Sequence, residues 1–551
     1  MKPAVDADRW TWAAALSGAA TMFAVQPPLD LAWGAWLAPV PWVMLVAAPA
    51  LPGRRPWLAI WVGGLVHWLF TIHWLRLPHP ATGIGWVALS AYLAVFLPLF
   101  VWLARRLVHA RGWPLVPAAV VAWMACEQVR GTAFGGFTFA MLGHTQWRWT
   151  TLVQAADAVG AVGVGGIVMA VTAGVVVVAR EGLRPAGMVQ AAAAAAVVAL
   201  AIGYGAWRLD TAPPPVGQSL DVLLVQGSID TELKHDPDAA GDVARHYDDL
   251  TLQGLASDGG RLPDLVIWPE TMWRWPVMEI DPEETIPESV VEQLVGPAGD
   301  GGDEAGRQAR CRAILEAQSL DPLAVHARRY GTRWLVGVDR QVVRRRAAGG
   351  VEHHNCGLFI DSTGDMLACY SKMHPVMFGE YIPLADRLPV LYRITPLPAG
   401  LTAGREPVAV RIAGFEVMPT ICYETALPGA VRSMVRRLDA EGRRPDVIVN
   451  LTNDGWFWGS SELDMHLTAA IFRAVEVRTP IAIAANTGFS AGIDGSGRLL
   501  ARGPRREAAT LRLALHRDGR PSPWLRWGAL PIWLTVTVAV ALAILPARRR
   551  G

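Results

Sequence analysis

Charge is scarce in this chain: Asp, Glu, Lys and Arg supply 18% of its 551 residues and almost cancel, leaving a formal +2. Globular domains carry about a quarter. With no excess of either sign, nothing global marks a nucleic-acid partner. Cysteine is scarce too. The five present, Cys126, Cys311, Cys356, Cys369 and Cys422, are odd in number and irregular in spacing. They give neither a disulfide framework nor a zinc-ligand pattern, although a pair among Cys311, Cys356 and Cys369 stays open. Lysine is rare beside arginine. No repeat of fixed period runs through the chain. No clear small-residue cleavage site follows the first apolar stretch, and more such stretches come straight after it. It therefore reads as a membrane segment and not as a removable signal.

What the chain has in excess is apolar surface. Hydrophobic residues make up 52%, mean hydropathy is +0.27, and there are 25 tryptophans, a residue that concentrates at membrane–water interfaces. The length exceeds one ordinary core. Apolar segments fall near residues 10–25, 29–50, 57–75, 84–103, 113–124, 158–179, 188–207 and 524–545. Most have the roughly 20 residues that cross a bilayer; the first and fifth are short or interrupted. Arg54-Arg55, Arg105-Arg106 with Arg111, and Arg180 with Arg184 follow the second, fourth and sixth segments. Lys2 and Arg9 precede the first, and Arg548-Arg549-Arg550 follow the last, whereas loops 26–30 and 78–83 hold no Lys or Arg. The positive-inside rule then predicts cytoplasmic termini and a domain outside the cytoplasm after the seventh segment. The expected organisation is a membrane domain over 1–209, an extracytoplasmic domain over 210–523, and a closing helix with a basic tail over 524–551.

The extracytoplasmic stretch opens with the stiff linker Ala212-Pro213-Pro214-Pro215. Short β-branched runs at 220–226, 265–268, 334–338, 358–360, 408–412, 417–421, 447–451 and 481–485 alternate with helix-like stretches at 240–256, 304–330, 426–439 and 462–477. Strands interleaved with helices predict a layered α/β domain. Residues 271–303 and 377–406 read as long irregular loops, a length that often marks function.

Three stretches carry the chemistry. Cys422 ends the run 417–421 and stands at a turn into a helix-like segment, where the positive end of a helix lowers a thiol pKa. Cys126, inside an apolar run, reads instead as a small buried hydrophobe. Glu270 follows Trp268-Pro269 at the end of a buried run, and an apolar neighbourhood raises the proton affinity that a base for a thiol needs. Lys372, among Tyr370, Met373 and His374, offers a compact ammonium that can hold a tetrahedral oxyanion. Carboxylate, ammonium and thiol together are the inventory of acyl transfer through a thioester. Trp273, Trp275 and Met278, and Met373, Val376, Met377 and Phe378, are too apolar for solvent-facing loops. They pack locally or frame a gate for lipid tails. Asn453 and Asp454 read as turn formers.

The order Glu270, Lys372, Cys422 resembles the nitrilase superfamily, and in particular its membrane-bound branch, the apolipoprotein N-acyltransferases. The resemblance rests on Val-Gln-Gly at 225–227, Trp-Pro-Glu at 268–270, Lys-Met-His-Pro-Val-Met-Phe-Gly-Glu-Tyr-Ile-Pro at 372–383 and Ile-Cys-Tyr-Glu at 421–424. It continues through Asn-Leu-Thr-Asn-Asp-Gly-Trp-Phe at 450–457 and Ala-Ala-Asn-Thr-Gly-Phe-Ser-Ala at 484–491, with Glu127, Arg130 and Gly136-Phe137 in the membrane half. It implies an αββα sandwich joined to a polytopic helical membrane domain in a bacterial inner membrane. It also implies a ping-pong reaction. Glu270 deprotonates Cys422, whose thiolate attacks a phospholipid ester while Lys372 and the Tyr423 backbone N–H hold the oxyanion. The amino group of a diacylglyceryl-cysteine on a lipoprotein then takes the acyl chain as an amide. Glu380 becomes the carboxylate that orients Lys372, and Tyr423 and Glu424 become supporting residues. No metal and no cofactor are implied, and the chain is expected to act as a monomer. The family often has Trp where this chain reads Leu233-Lys234-His235, so His235 is the departure that bears on acyl-chain entry.

Two other classes share parts of this pattern. In a membrane-tethered amidase of the same superfamily water takes the acyl group, but a simple anchor needs one span and not seven. A catalytically dead binding or transport protein would not need Glu270, Lys372 and Cys422 intact. Apart from Glu127 and Arg130 the chain also lacks a transporter's intramembrane charges.

Overall fold

The computed structural model describes residues 3–182, 184–230, 237–257, 259–297, 303–345, 350–385, 387–388, 390–393 and 400–545. Lys2, His235 with its neighbours Leu233 and Lys234, and Arg548-Arg549-Arg550 lie outside the described residues.

The runs of β-branched residues form two six-stranded sheets. Strands β1 (Leu220–Gln226), β2 (Leu265–Ile280), β3 (Arg333–Val343), β4 (Val351–Ile360) and β5 (Met366–Ser371) join β12 (Ala509–Leu515) in the order β12-β1-β2-β3-β4-β5. The second sheet takes β6 (Val410–Ile412), β7 (Phe415–Ile421), β8 (Val447–Thr452), β9 (Ile481–Ala485), β10 (Ala491–Ile493) and β11 (Leu499–Arg502) in the order β11-β10-β9-β8-β7-β6. Both faces of each sheet are covered, which is why these strands are apolar at consecutive positions and not at alternate ones. Val222, Leu224, Ile267 and Leu335 meet Val417, Val449 and Leu451 of the other sheet. The intervening side chains turn outward: Leu223, Val225 and Val266 pack on helices Ala240–Ala256 and Glu304–Tyr330. Met418, Ile421 and Ile448 pack on helices Pro428–Ala440 and Glu462–Val477. The result is an αββα sandwich.

β2 departs from expectation. The buried run expected to end at Trp268-Pro269 continues as strand to Ile280. Proline cannot donate to the ladder, and the pairing with β3 slips between Trp268 and Trp273 and again before Val277. The interruption bulges the strand without ending it. Gly337 of β3 permits the bulge, because a Cβ there would lie 2.2 Å from the Pro269 carbonyl oxygen and 2.6 Å from Glu270 Cα. The bulge carries Glu270.

Among the described residues, three helical columns are long and apolar enough to cross a membrane: Thr82–Ala110, Ala156–Glu181 and Pro185–Asp210. Other expected segments form shorter helices, including Pro56–Thr71 and Leu530–Ile544. The segment 29–50 breaks into a 3-10 turn, Ala32–Trp36, and an eight-residue helix, Val40–Ala47, entered through Pro39 and Pro41. The column Ala156–Glu181 is mostly buried and Pro185–Asp210 mostly exposed. The buried one anchors the sandwich. Asp157 at its start pairs with Arg478, just past helix Glu462–Val477, at 2.5 Å and with Arg208 at 2.7 Å. The Ala161 N–H donates to Glu476 at 3.0 Å.

Candidate active site

Cys422 is the first residue after β7 and opens the 3-10 turn Cys422–Ala426. Its φ of 52° is unusual for a residue with a side chain, so the chain reverses sharply at the thiol. The cysteine carbonyl is held from below, accepting from Asn450 Nδ2 at 3.1 Å and facing His466 Nε2 at 3.2 Å. The α-helix expected to begin beside the thiol starts only at Pro428. Burial, followed by the negative charge of Glu270, raises the Cys422 pKa well above the ordinary thiol value, and Lys372 only partly offsets them. The resting group is a thiol that needs a base.

Glu270 is buried in the β2 bulge. Asn355 Nδ2 donates to its Oε1 at 2.6 Å and the Asn453 backbone N–H to its Oε2 at 2.9 Å. Lys372 sits one residue past β5, almost fully buried. Its Nζ lies 2.6 Å from Glu380 Oε1 and 3.8 Å from Glu270 Oε1. Burial works against the ammonium, but Glu380, Cys422 and Glu270 outweigh it and hold its pKa above the usual lysine value. The ammonium stays charged. Glu380 is itself fixed, since the Val376 N–H donates to its Oε2 at 2.7 Å.

Glu424 is fully buried and ties the segments carrying Lys372 and Cys422 together. Its Oε1 accepts from the backbone N–H groups of Met373 and His374 at 2.7 and 2.9 Å, and its Oε2 from that of Ile421 at 2.7 Å. The Tyr370 hydroxyl donates to the same carboxylate at 2.8 Å. One side chain thus joins the residues after Lys372 to the residue before Cys422. Tyr423 points the other way, into the N-terminal helical half. Its hydroxyl donates to the Gly136 carbonyl at 3.1 Å and its ring packs edge-on against Phe139 at 5.3 Å. Glu127 and Arg130 brace that segment: the Leu142 N–H donates to Glu127 at 2.8 Å and Arg130 donates to the Phe139 carbonyl at 2.8 Å.

The apolar residues near the site divide. Trp273 is 1% exposed and packs among Trp268, Trp275 and His326 inside the first sheet's outer core. The expectation of a lid residue is corrected there, because residues 271–280 are strand and not loop. Trp275 and Phe378 are 41% and 68% exposed. Phe457 packs on Trp74 of the N-terminal helical half at 5.0 Å, while Trp458 is about half exposed. Asn453 does form the turn expected of it, capping Asp454–Phe457. Asn355, the Asn453 N–H and His466 were not singled out as site groups. The only sequence signal for Asn453 was its motif, and Asn355 had none. Asp454, Glu462 and His466 are buried together with ligand atoms within 4.8 Å of one another.

The family model for the apolipoprotein N-acyltransferase N-terminal domain matches residues 17–174, and that for carbon-nitrogen hydrolase matches residues 263–519. The chain is 28% identical to the apolipoprotein N-acyltransferase of Rhodopirellula baltica, over 96% of this chain and 95% of that protein. It is 26% identical to that of Geobacter metallireducens, over 94% and 91%. An amidase from Nesterenkonia sp. AN1 is similar among solved structures, at 17% identity and a TM-score of 0.34, covering 55% of this chain and 92% of its own.

Proposed function

The chain belongs to the apolipoprotein N-acyltransferase family, and on that premise we propose how its own residues carry the reaction. Glu270 takes the Cys422 proton, and the thiolate attacks the ester carbonyl of a phospholipid. Lys372 Nζ and the Tyr423 backbone N–H hold the oxyanion. The ester C–O bond breaks, the proton on Glu270 leaves with the lysophospholipid alkoxide, and the acyl group remains as a thioester. The free amino group of a diacylglyceryl-cysteine at a lipoprotein N-terminus then attacks it. Glu270 takes the amine proton and returns it to the departing thiolate, leaving an amide. Glu380 orients Lys372, and Glu424 sets the spacing between Lys372 and Cys422. The protein works as a monomer in the bacterial inner membrane, with residues 210–523 on the periplasmic side.

The observation that carries this reading is the fully buried ammonium of Lys372, set between Glu380 and Glu270 and acting electrostatically on the Cys422 thiol. A surface lysine has no reason to be there. The hydrogen bond from Tyr423 to Gly136 favours a transferase over a tethered amidase, since it fastens the nucleophile's turn to the lipid-embedded half. The test is intact-protein mass spectrometry after incubation with phospholipid vesicles. Wild type should gain one hydroxylamine-labile acyl group and Cys422→Ala none, with Cys311→Ala still acylated. A labile adduct that persists in Cys422→Ala refutes the assignment. Alkylation of Cys422 should be slow at neutral pH and rise only above the ordinary thiol range, following its raised pKa.

A further inference from the structure

A pair of thiols lies beside the site, on strands β4 and β5. Cys356 stands opposite Ser371, and Leu358 opposite Cys369. Opposed residues share a face, as do residues two apart on one strand. Cys356 and Cys369 are therefore diagonal neighbours on one face. Cys356 Sγ is also 3.2 Å from Ser371 Oγ, to which Arg340 donates at 3.2 Å. Cys356 is fully buried and Cys369 half-buried, so an incoming reagent meets Cys369 first. The hydrogen bond from Cys356, with Arg340 nearby, holds the Cys369 pKa below the ordinary thiol value despite burial. A half-buried sulfur backed by a fully buried partner is the arrangement of a redox-active dithiol.

We propose that Cys356 and Cys369 close to a disulfide by exchange with an oxidised dithiol outside the cytoplasm, and that closure displaces Lys372. The Cys369 thiolate attacks one sulfur of the incoming disulfide, forming a mixed disulfide and releasing one thiolate. The Cys356 sulfur then attacks Cys369 Sγ, expelling the second thiolate. The two protons of the cysteine pair end on the released dithiol, which is reduced as the pair is oxidised. Lys372 is three residues beyond Cys369, and Cys356 follows Asn355, which holds Glu270. The bond thus cross-links the strand that delivers the ammonium to the strand that orients the carboxylate. Diagonal neighbours have Cα atoms about 7–8 Å apart, whereas a disulfide spans about 4.4–6.8 Å. Closure must draw the strands together by roughly an ångström, a displacement that costs up to about 100-fold in rate when it reaches a catalytic group.

The chemical part stands alone, and its effect on rate rests on the acyl-transfer reading. The full-length protein in detergent is treated with oxidised glutathione, alkylated and analysed by intact mass and peptide mapping, with vesicle acylation measured in parallel. Wild type should lose the mass of two hydrogens, yield a peptide linking Cys356 to Cys369, and slow by at least about tenfold, recovering with reductant. Cys356→Ser and Cys369→Ser should acylate at the untreated rate and be indifferent to the oxidant. Free alkylation of both cysteines after treatment, or a link to Cys422 instead, overturns the dithiol. A linked peptide with an unchanged rate overturns the displacement of Lys372. Absence of acylation in untreated wild type counts against the proposed function, and the linked peptide still decides the dithiol.

Discussion

Removing the Glu424 carboxylate tests the architecture of the site directly. Four donors converge on it inside the protein: the Tyr370 hydroxyl and the N–H groups of Met373, His374 and Ile421. Glu424→Ala orphans all four, and each buried unsatisfied donor costs about 1–3 kcal/mol. Water admitted to the vacated space recovers part of this, so the expected loss is about 4 kcal/mol. Glu424→Gln keeps the shape but turns one oxygen into an N–H₂ group facing a donor, and should cost about 1–3 kcal/mol. Because Met373 and His374 follow Lys372 directly, the ammonium loses its placement in both variants. Acyl-enzyme formation should slow by about 100-fold in Ala and less in Gln. Thermal unfolding in detergent reads the first effect; at about 2 °C per kcal/mol, Ala should melt roughly 8 °C lower. Rapid-quench measurement of the thioester burst reads the second. Wild-type melting and burst rate in both variants would refute the reasoning, since four buried donors cannot lose their acceptor without consequence.

Other expectations follow from the same structure. Asp157→Ala leaves Arg478 and Arg208 buried without their shared carboxylate and should destabilise the protein by about 3–5 kcal/mol, read as earlier proteolysis between the helical and sheet layers. Trp273→Ala should cost a similar amount, about 3–5 kcal/mol, for every substrate. Phe378→Ser and Trp275→Ser should instead leave melting nearly unchanged while slowing acylation from vesicles more than from a short soluble ester, and equal slowing on both donors would remove them from lipid entry. A cysteine at the exposed position Glu441 should react with an impermeant thiol reagent from outside the inner membrane. Labelling only after the cytoplasm is opened would reverse the orientation.

The sequence by itself determined the layered α/β domain, the apolar segments and the identity of the reacting groups. Each of these is a local pattern. A β-branched run ending in Ile421-Cys422 or Tyr370-Ser371-Lys372 shows where a strand stops and which side chain is left at its end. Tertiary structure decided the rest. Nothing near Pro269 in the chain says that β2 continues, because the continuation depends on β3 offering Gly337 to the bulge. Trp273 is core and Phe378 is surface although both sit in apolar company, since only the packed helix Glu304–Tyr330 covers the first. Asn355 carries no local signal, yet a partner 85 residues away makes it the donor to Glu270. The apolar columns Ala156–Glu181 and Pro185–Asp210 look alike in composition, and only the packing of helices Leu115–Arg130 and Val40–Ala47 around the first makes it interior while the second stays exterior. Periodicity and strand ends are written over a few consecutive residues, whereas burial and hydrogen-bond partnership depend on segments that meet only after the chain has folded.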